Sequence, residues 1–162
     1  MELYLIRHAD AASLSDAGVT EDANRPLTEC GKGQATAIAA ALQKREIQLQ
    51  FVVSSPLLRA RQTAEGMLKD WVGTAPELRF CEELAPGAKR RQLARFLQDL
   101  GAERIAVVGH QPDLGEFAAW LIGGKKVRIE IAKAGIAHIR CEQKLGKGEG
   151  ALEWLVSPGW FS

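Results

Sequence analysis

The chain has 162 residues, 46% of them hydrophobic, which suits one globular domain over residues 1–162 and excludes two domains of ordinary size. Its 21 Lys and Arg residues balance 20 Asp and Glu residues, so the charge gives no indication of binding to nucleic acid or to anionic lipid. No stretch has the length of a membrane span, and the N-terminal segment lacks the features of a signal peptide.

The cysteines, Cys30, Cys81 and Cys141, are odd in number and scattered, with no CxxC pair. This usage is typical of a reducing compartment and favours neither a disulfide framework nor a zinc site. We therefore expect a cytoplasmic protein that needs no metal and no cofactor.

Hydrophobic periodicity predicts alternating strands and helices in the first half of the chain. Leu3–Ile6 is predicted to form a strand, and the polar segment Asp10–Arg25 a loop. Thr28 can cap a helix whose apolar residues recur at helical spacing, namely Ala35, Ile38, Ala39 and Leu42. Phe51–Ser54 is a second predicted strand, and Ser55-Pro56 is expected to start a helix with one apolar face, made of Ala60, Ala64, Met67 and Trp71.

The pattern continues into the second half of the chain. A short strand is predicted over Leu78–Cys81 and a third core strand over Ile105–Val108. Leu93–Leu100 has helical spacing, and Gln111-Pro112 is expected to open a helix with a buried side made of Leu114, Phe117, Ala118 and Leu121.

The last quarter of the chain changes to a period of two. Apolar and polar residues alternate over Ala137–Glu142 and again over Leu152–Val156, with a glycine-rich turn between, which indicates an antiparallel hairpin. His138 falls on the polar side of this hairpin and is expected at the surface. Together the elements predict a single-domain α/β protein, a three-layer α/β/α sandwich whose mixed, mostly parallel sheet has helices on both faces.

Charged and imidazole side chains follow the three predicted core strands. Arg7 and His8 end the first, Arg59 lies in the segment after the second, and His110 ends the third. In open α/β sheets, ligands bind outside the carboxyl ends of the strands. We therefore expect these four side chains to share one rim of the sheet.

This combination of side chains suits a tetrahedral dianion. Arginines supply planar, permanently charged donors that match phosphate oxygens. A neutral imidazole can attack phosphorus and form a phosphohistidine intermediate, and nearby arginines help to keep it neutral. A second imidazole, if protonated, can bind the transferring oxygens.

The segments that carry these residues resemble, in order, the motifs of the histidine phosphatase superfamily; they are "LIRHADA", "RPLTECG", "SSPLLRARQT" and "VVGHQPDLG". The wording is most similar to the phosphohistidine phosphatase (SixA-type) members, and it implies a phosphoglycerate-mutase-like fold. The resemblance also implies that His8 is the phosphorylated nucleophile and that Arg7, Arg59 and His110 bind the phosphoryl group. Arg25 is either a further phosphate or substrate contact or a solvated loop residue.

The chain departs from the family pattern in two places. Ala9 stands where glycine often follows the Arg-His pair, and its methyl group is small enough for function to survive. Mutase-like members carry an acid/base glutamate after the second helix, where this chain has Glu82 and Glu83 in "CEELAPG". Glu83 is the preferred candidate, Asp10 and Asp113 are alternatives, and each is equally compatible with a plain surface carboxylate.

The leading hypothesis is a metal-independent phosphatase that hydrolyses phosphohistidine on a protein, such as a phosphotransfer domain, and so attenuates a phosphorelay. One alternative is a phosphatase or mutase of a small phosphorylated metabolite, and another is a catalytically silent phosphate- or phosphoprotein-binding domain. Short connections favour the first, because only Asp10–Arg25 is long enough to close over a small substrate. No nucleic-acid or membrane partner is expected, and the substrate's identity, the rate and the oligomeric state stay open.

Overall fold

A six-stranded mixed sheet forms the centre of the molecule. The computed structural model describes residues 1–87, 89–124 and 126–161. The strands are β1 (Glu2–Arg7), β2 (Phe51–Ser54), β3 (Glu77–Phe80), β4 (Arg104–Gly109), β5 (Ile136–Cys141) and β6 (Gly150–Val156). Their order across the sheet is β3-β2-β4-β1-β5-β6, in which β3, β2, β4 and β1 run parallel while β5 and β6 are antiparallel additions.

Helices cover both faces of this sheet and make the three layers that the sequence predicts. They are α1 (Leu14–Ala17), α2 (Glu29–Lys44), α3 (Leu58–Leu68), α4 (Arg90–Asp99) and α5 (Asp113–Leu121). The helices α2 and α3 pack on one face, and α4 and α5 pack on the other. Short 3₁₀ turns lie at Asp22–Asn24, Glu82–Leu84 and Pro158–Trp160.

Alternate residues of the central strand β1 supply the two cores. Leu3 and Leu5 face α4 and α5, whereas Tyr4 and Ile6 face α2 and α3. All four side chains are buried because both faces of the strand are covered. This explains why β1 appears in the sequence as a continuous apolar run and not as an alternating one.

The start of α2 is confirmed, and the start of α3 is not where the sequence placed it. The Thr28 hydroxyl accepts a hydrogen bond from the backbone N–H of Gly31, as an N-cap does. In contrast, α3 begins at Leu58 without a side-chain cap. The Ser55 hydroxyl instead accepts a hydrogen bond from the Leu57 N–H at 3.4 Å and lies 2.9 Å from Nε2 of His110.

Two long connections, not one, reach the carboxyl edge of the sheet. Asp10–Arg25 contains α1 and the first 3₁₀ turn. The second connection runs between α5 and β5 and was overlooked in the sequence because it lacks periodicity. Within it, the Ile131 carbonyl accepts a hydrogen bond from Arg7 Nη1 at 3.1 Å, and the Ala134 N–H donates to the Arg7 carbonyl at 3.1 Å.

The predicted hairpin is confirmed, but the expected surface position of His138 is wrong. Its side chain is only 12% exposed. The strand β5 lies between β1 and β6, so His138 is flanked by Tyr4 and Trp154. The His138 and Tyr4 rings stack with their centroids 4.5 Å apart. None of the helices in the described ranges has the length and apolar character that crossing a membrane requires.

Candidate active site

The carboxyl ends of β1 and β4 and the first turn of α3 bring three of the predicted side chains together. The Arg59 Nε–H group donates a hydrogen bond to Nε2 of His8 at 3.2 Å. The rings of His8 and His110 lie with their centroids 5.2 Å apart. These contacts form because parallel strands end at the same edge of a sheet and α3 starts directly beyond it.

The backbone and one threonine fix the orientation of the His8 ring. Nδ1 of His8 lies 2.8 Å from the carbonyl oxygen of Ala9, an acceptor, so Nδ1 carries the proton and Nε2 keeps its lone pair. The Ala9 N–H donates to the Thr63 hydroxyl at 3.0 Å, and that hydroxyl donates to the Arg59 carbonyl at 2.7 Å. Thr63 therefore ties the chain after β1 to the helix that carries Arg59. The sequence analysis missed it, although it follows Arg59 by one helical turn.

Burial keeps both imidazoles uncharged. It lowers the pKa of His8 to about 4; the bond to Ala9 opposes this shift, and the charges of Arg59 and Arg7 add to it. Burial likewise lowers the pKa of His110 to about 3, with Arg59, His8 and Arg7 adding to the effect. At neutral pH the site thus holds two neutral rings. The sequence suggested a protonated His110 as a donor, and the neutral ring offers a single N–H instead.

Two polar atoms at the site are buried without a hydrogen-bond partner among the described residues. They are Nδ1 of His110 and Nε of Arg7. Arg7 also lines an open cleft of about 440 Å³ together with Gln111 and the extended segment 127–130. Buried polar atoms that lack a partner are uncommon in native proteins, and a ligand can satisfy them.

The Asp10–Arg25 loop places a carboxylate over Arg59. Oδ2 of Asp22 lies 2.9 Å from Arg59 Nη2, and the Asp22 carbonyl accepts from Arg59 Nη1 at 2.8 Å. Oδ1 of the same carboxylate accepts from Arg25 Nη1 at 3.0 Å. Arg25 also donates to the Ala12 carbonyl at 2.7 Å, so in this structure it organises the loop.

The site is more enclosed than the open pocket that the sequence led us to expect. His8 is 7% exposed, Arg59 5% and His110 3%. Asp22 itself was missed by the sequence analysis, because a single acidic residue in a polar loop has no distinguishing pattern. The one available signal was its position three residues before Arg25.

Two of the candidate acids lie near the His110 side chain. Glu83, His110 and Asp113 line the same small cavity, whereas Glu82 is exposed. The Cys81 thiol donates to Oε2 of Glu83 at 3.3 Å. Burial raises the pKa of Cys81 to about 12, so the thiol stays protonated and remains a donor. Asp113 instead accepts from the Gly87 N–H at 3.3 Å.

Asp10 has a structural setting that does not suit an acid. Its carboxylate accepts from Lys133 Nζ at 2.7 Å and from the Thr28 hydroxyl at 2.8 Å. Those hydrogen bonds, led by the one from Lys133, hold the pKa of Asp10 below its usual value. A Cβ on Gly31 would lie 2.0 Å from the Asp10 carbonyl oxygen, so α2 starts in direct contact with the chain that leaves β1.

The arrangement can bind a tetrahedral oxyanion and offer it a nucleophilic nitrogen. Arginine N–H groups, a neutral His110 and the lone pair of His8 Nε2 are the parts that such chemistry needs. Within the described ranges, no three His, Cys, Asp or Glu side chains cluster in a way that could hold a metal ion.

Comparisons with known proteins agree with this chemistry. The chain is 36% identical over 167 residues to an uncharacterized protein of Picosynechococcus sp. (strain PCC 7002), with 99% of each covered. It is 29% identical over 161 residues to the phosphohistidine phosphatase SixA of Escherichia coli (strain K12), with 98% of this chain and 94% of that protein covered.

Solved structures share the fold. The protein histidine phosphatase SixA complexed with tungstate matches with a TM-score of 0.86 at 26% identity, over 100% of both chains. A phosphoserine phosphatase of Entamoeba histolytica in complex with phosphoserine matches in fold, with a TM-score of 0.71 at 18% identity over 97% of both chains. Residues 3–85 match the model of the histidine phosphatase superfamily, branch 1, and the chain therefore belongs to that superfamily.

Proposed function

We propose that this protein is a phosphatase that hydrolyses phosphohistidine on another protein, with His8 as the nucleophile. The observation that carries the proposal is the state of His8, whose Nδ1–H is held by the Ala9 carbonyl while the lone pair of Nε2 faces Arg59. A buried, neutral and oriented imidazole beside a permanent cation suits attack on a phosphoryl group.

The reaction proceeds in two displacements. In the first, Nε2 of His8 attacks phosphorus while the bond from phosphorus to the leaving nitrogen breaks, and the leaving imidazole takes up a proton from the Glu83 carboxyl group. In the second, water attacks phosphorus and gives a proton back to Glu83, the bond to Nε2 breaks, and inorganic phosphate leaves. The Ala9 carbonyl stabilises the positive charge that the His8 ring carries in between.

The donors around His8 stabilise the transferring group. Arg59 and Arg7 supply guanidinium N–H groups, and His110 supplies one ring N–H. Two atoms of this set are buried without a partner among the described residues in the ligand-free protein, Nδ1 of His110 and Nε of Arg7. Donors aimed at developing charge in a water-excluded site are the largest source of such catalysis.

Hydrolysis of phosphohistidine requires less help from an acid at this site than hydrolysis of a phosphate ester does. Imidazole is basic and leaves readily once protonated, whereas an alkoxide needs a strong proton donor. Glu83 is the proposed acid/base, and its carboxylate accepts a hydrogen bond from the Cys81 thiol. The related phosphohistidine phosphatase SixA of E. coli supports the same substrate class, and attenuation of a phosphorelay in the cytoplasm follows from it as part of the proposal.

Hydrolysis of a small phosphorylated metabolite is the second candidate, and one observation favours it. His8 is only 7% exposed, and two connections reach the site, as an enclosed small-molecule pocket requires. A phosphoserine phosphatase shares the fold, although at 18% identity it supports the architecture alone. A silent binding domain is disfavoured because His8 and His110 are both present and their rings are adjacent.

The test compares kcat/KM for a phosphohistidine-bearing phosphotransfer domain with kcat/KM for phosphoserine, sugar phosphates and phosphoglycerates. We expect the phosphoprotein to be the best substrate. Efficient turnover of one metabolite, with no activity on any phosphohistidine protein, would replace this proposal by the second candidate.

A further inference from the structure

Asp22 occupies the position between two arginines that an anionic ligand would be expected to take. Its Oδ2 is 2.9 Å from Arg59 Nη2, and its Oδ1 is 3.0 Å from Arg25 Nη1. The hydrogen bond from Arg25 lowers the pKa of Asp22, so the group is a carboxylate at neutral pH. The sequence predicts Arg59 as a phosphoryl contact and Arg25 as either a phosphate contact or a solvated loop residue, and in this structure both bind a carboxylate from the chain itself.

Each nitrogen of the Arg59 guanidinium already has a partner. Nε donates to His8 at 3.2 Å, Nη1 donates to the Asp22 carbonyl at 2.8 Å, and Nη2 pairs with the Asp22 carboxylate. A phosphoryl group whose oxygens take the positions of these two Asp22 oxygens has to replace Asp22. The same conclusion follows from burial, since His8 is 7% exposed and Arg59 5%.

The segment that carries Asp22 has few contacts to hold it in place. Neither α1 nor the 3₁₀ turn Asp22–Asn24 contains a buried residue. The segment is anchored at its base, where Ala11 pairs with Leu27 and the Ala12 N–H donates to the Pro26 carbonyl at 2.9 Å. Segments with little buried surface open at low free-energy cost, while a paired base keeps the opening local.

We propose that Asp22 is an internal competitor of the phosphoryl group, so that substrate binds only after the Asp22 carboxylate has been displaced from Arg59 and Arg25. The inference rests on the proposed role of Arg59 in phosphoryl binding. In this proposal the Asp10–Arg25 loop is held over the site by the ion pair between Asp22 and Arg59. The apparent affinity for an oxyanion then equals the intrinsic affinity multiplied by the fraction of molecules in which this ion pair is broken.

The test measures the binding of inorganic phosphate by isothermal titration calorimetry to the wild type, Asp22→Asn and Glu21→Gln. Asp22→Asn keeps the size of the side chain and the backbone carbonyl but removes the competing charge, so we expect phosphate to bind on the order of tenfold tighter. Glu21→Gln removes the same charge one residue earlier, at an exposed side chain that bonds Asn24. It should leave phosphate affinity within about twofold of the wild type.

Three results would overturn the proposal. Unchanged affinity in Asp22→Asn means that the carboxylate does not compete. Weaker affinity means that Asp22 instead orients Arg59 for the anion. Equal tightening by Glu21→Gln means that the effect is one of general charge. Arg59→Ala separates this inference from the proposed function, because undiminished phosphate binding in that variant would remove Arg59 from the phosphoryl site altogether.

Discussion

The Nε–H group of Arg59 donates to Nε2 of His8 across 3.2 Å, so the nitrogen proposed to attack phosphorus accepts a hydrogen bond from a permanent cation. The contact orients the lone pair and opposes protonation of the same atom. It also means that Arg59 has to exchange one partner for another during the reaction.

Acid should destabilise the folded protein through His8 and His110. Their folded pKa values are lowered to about 4 and about 3, whereas histidines in the unfolded chain titrate near the ordinary value of 6.5. The unfolded state therefore binds more protons below that value, and the free energy of unfolding falls as pH drops from 6.5 towards 4. We expect His8→Gln to lose less stability than the wild type over this range, by about 1–3 kcal/mol, in urea unfolding at each pH. Parallel curves for the two proteins would contradict the lowered pKa of His8.

His8→Ala should abolish turnover without unfolding the protein, because the side chain ends a strand at the rim and lies outside both cores. Rapid quenching of the wild type with labelled substrate should trap phosphate on His8 in an acid-labile, base-stable form, identified by mass spectrometry of the peptide. Full activity in His8→Ala would refute the covalent mechanism.

Arg59→Lys should reduce kcat by on the order of tenfold to a thousandfold, because an ammonium group cannot reproduce a guanidinium that serves His8 and a phosphoryl oxygen together. The matched control is Arg61→Lys on the same helix. Arg61 is half-exposed, pairs with Glu65 and lies over the Phe80 ring, so its replacement should leave kcat within about twofold. Steady-state kinetics of the two variants show whether kcat depends on the guanidinium group of Arg59.

Treatment with a strong chelator should leave activity unchanged if the reaction runs through a phosphorylated imidazole. The measurement is kcat before and after exhaustive dialysis against the chelator. A loss of activity that zinc or magnesium restores would show that the proposed chemistry is wrong.

Glu83→Gln should reduce hydrolysis of an alkyl phosphate ester more than hydrolysis of phosphohistidine, since only the ester needs a strong proton donor for its leaving group. The comparison is the ratio of the two kcat/KM values in the variant and in the wild type. Cys81→Ser, which keeps a donor near the Glu83 carboxylate, serves as the control and should leave the ratio nearly unchanged. Equal losses on both substrates in Glu83→Gln would remove Glu83 from the acid role.

The central strands β1, β2 and β4 could be predicted because burial on both faces gives each of them a continuous apolar run. β2 occurs where its apolar run predicts it, and the strand ends carry residues that do not belong in a core, such as His8 and His110. These polar residues could be placed at one edge of the sheet for two reasons. Parallel strands end at the same edge, and burying a polar group in a core without a hydrogen bond costs free energy.

The features that could not be predicted depend on contacts between segments that are distant in the chain. The burial of His138 follows from the position of β5 inside the sheet, which the local alternation of residues does not encode. The role of Ser55 depends on His110, which lies 55 residues away in the sequence. Asp22 reaches Arg59 only through the path of a loop without periodicity, so its carboxylate could not be distinguished from any solvated acid.

Gly31 sets the separation between α2 and the chain that leaves β1, and so affects the position of the proposed nucleophile. A methyl group there would lie 2.0 Å from the Asp10 carbonyl oxygen, so the helix and the chain leaving β1 would have to separate. His8 lies two residues before Asp10, and an attacking nitrogen works only within a narrow range of positions. The missing side chain of Gly31 thus allows the close approach of the two segments. Its replacement would displace His8, and we expect it to reduce the proposed activity although every polar group of the site is still present.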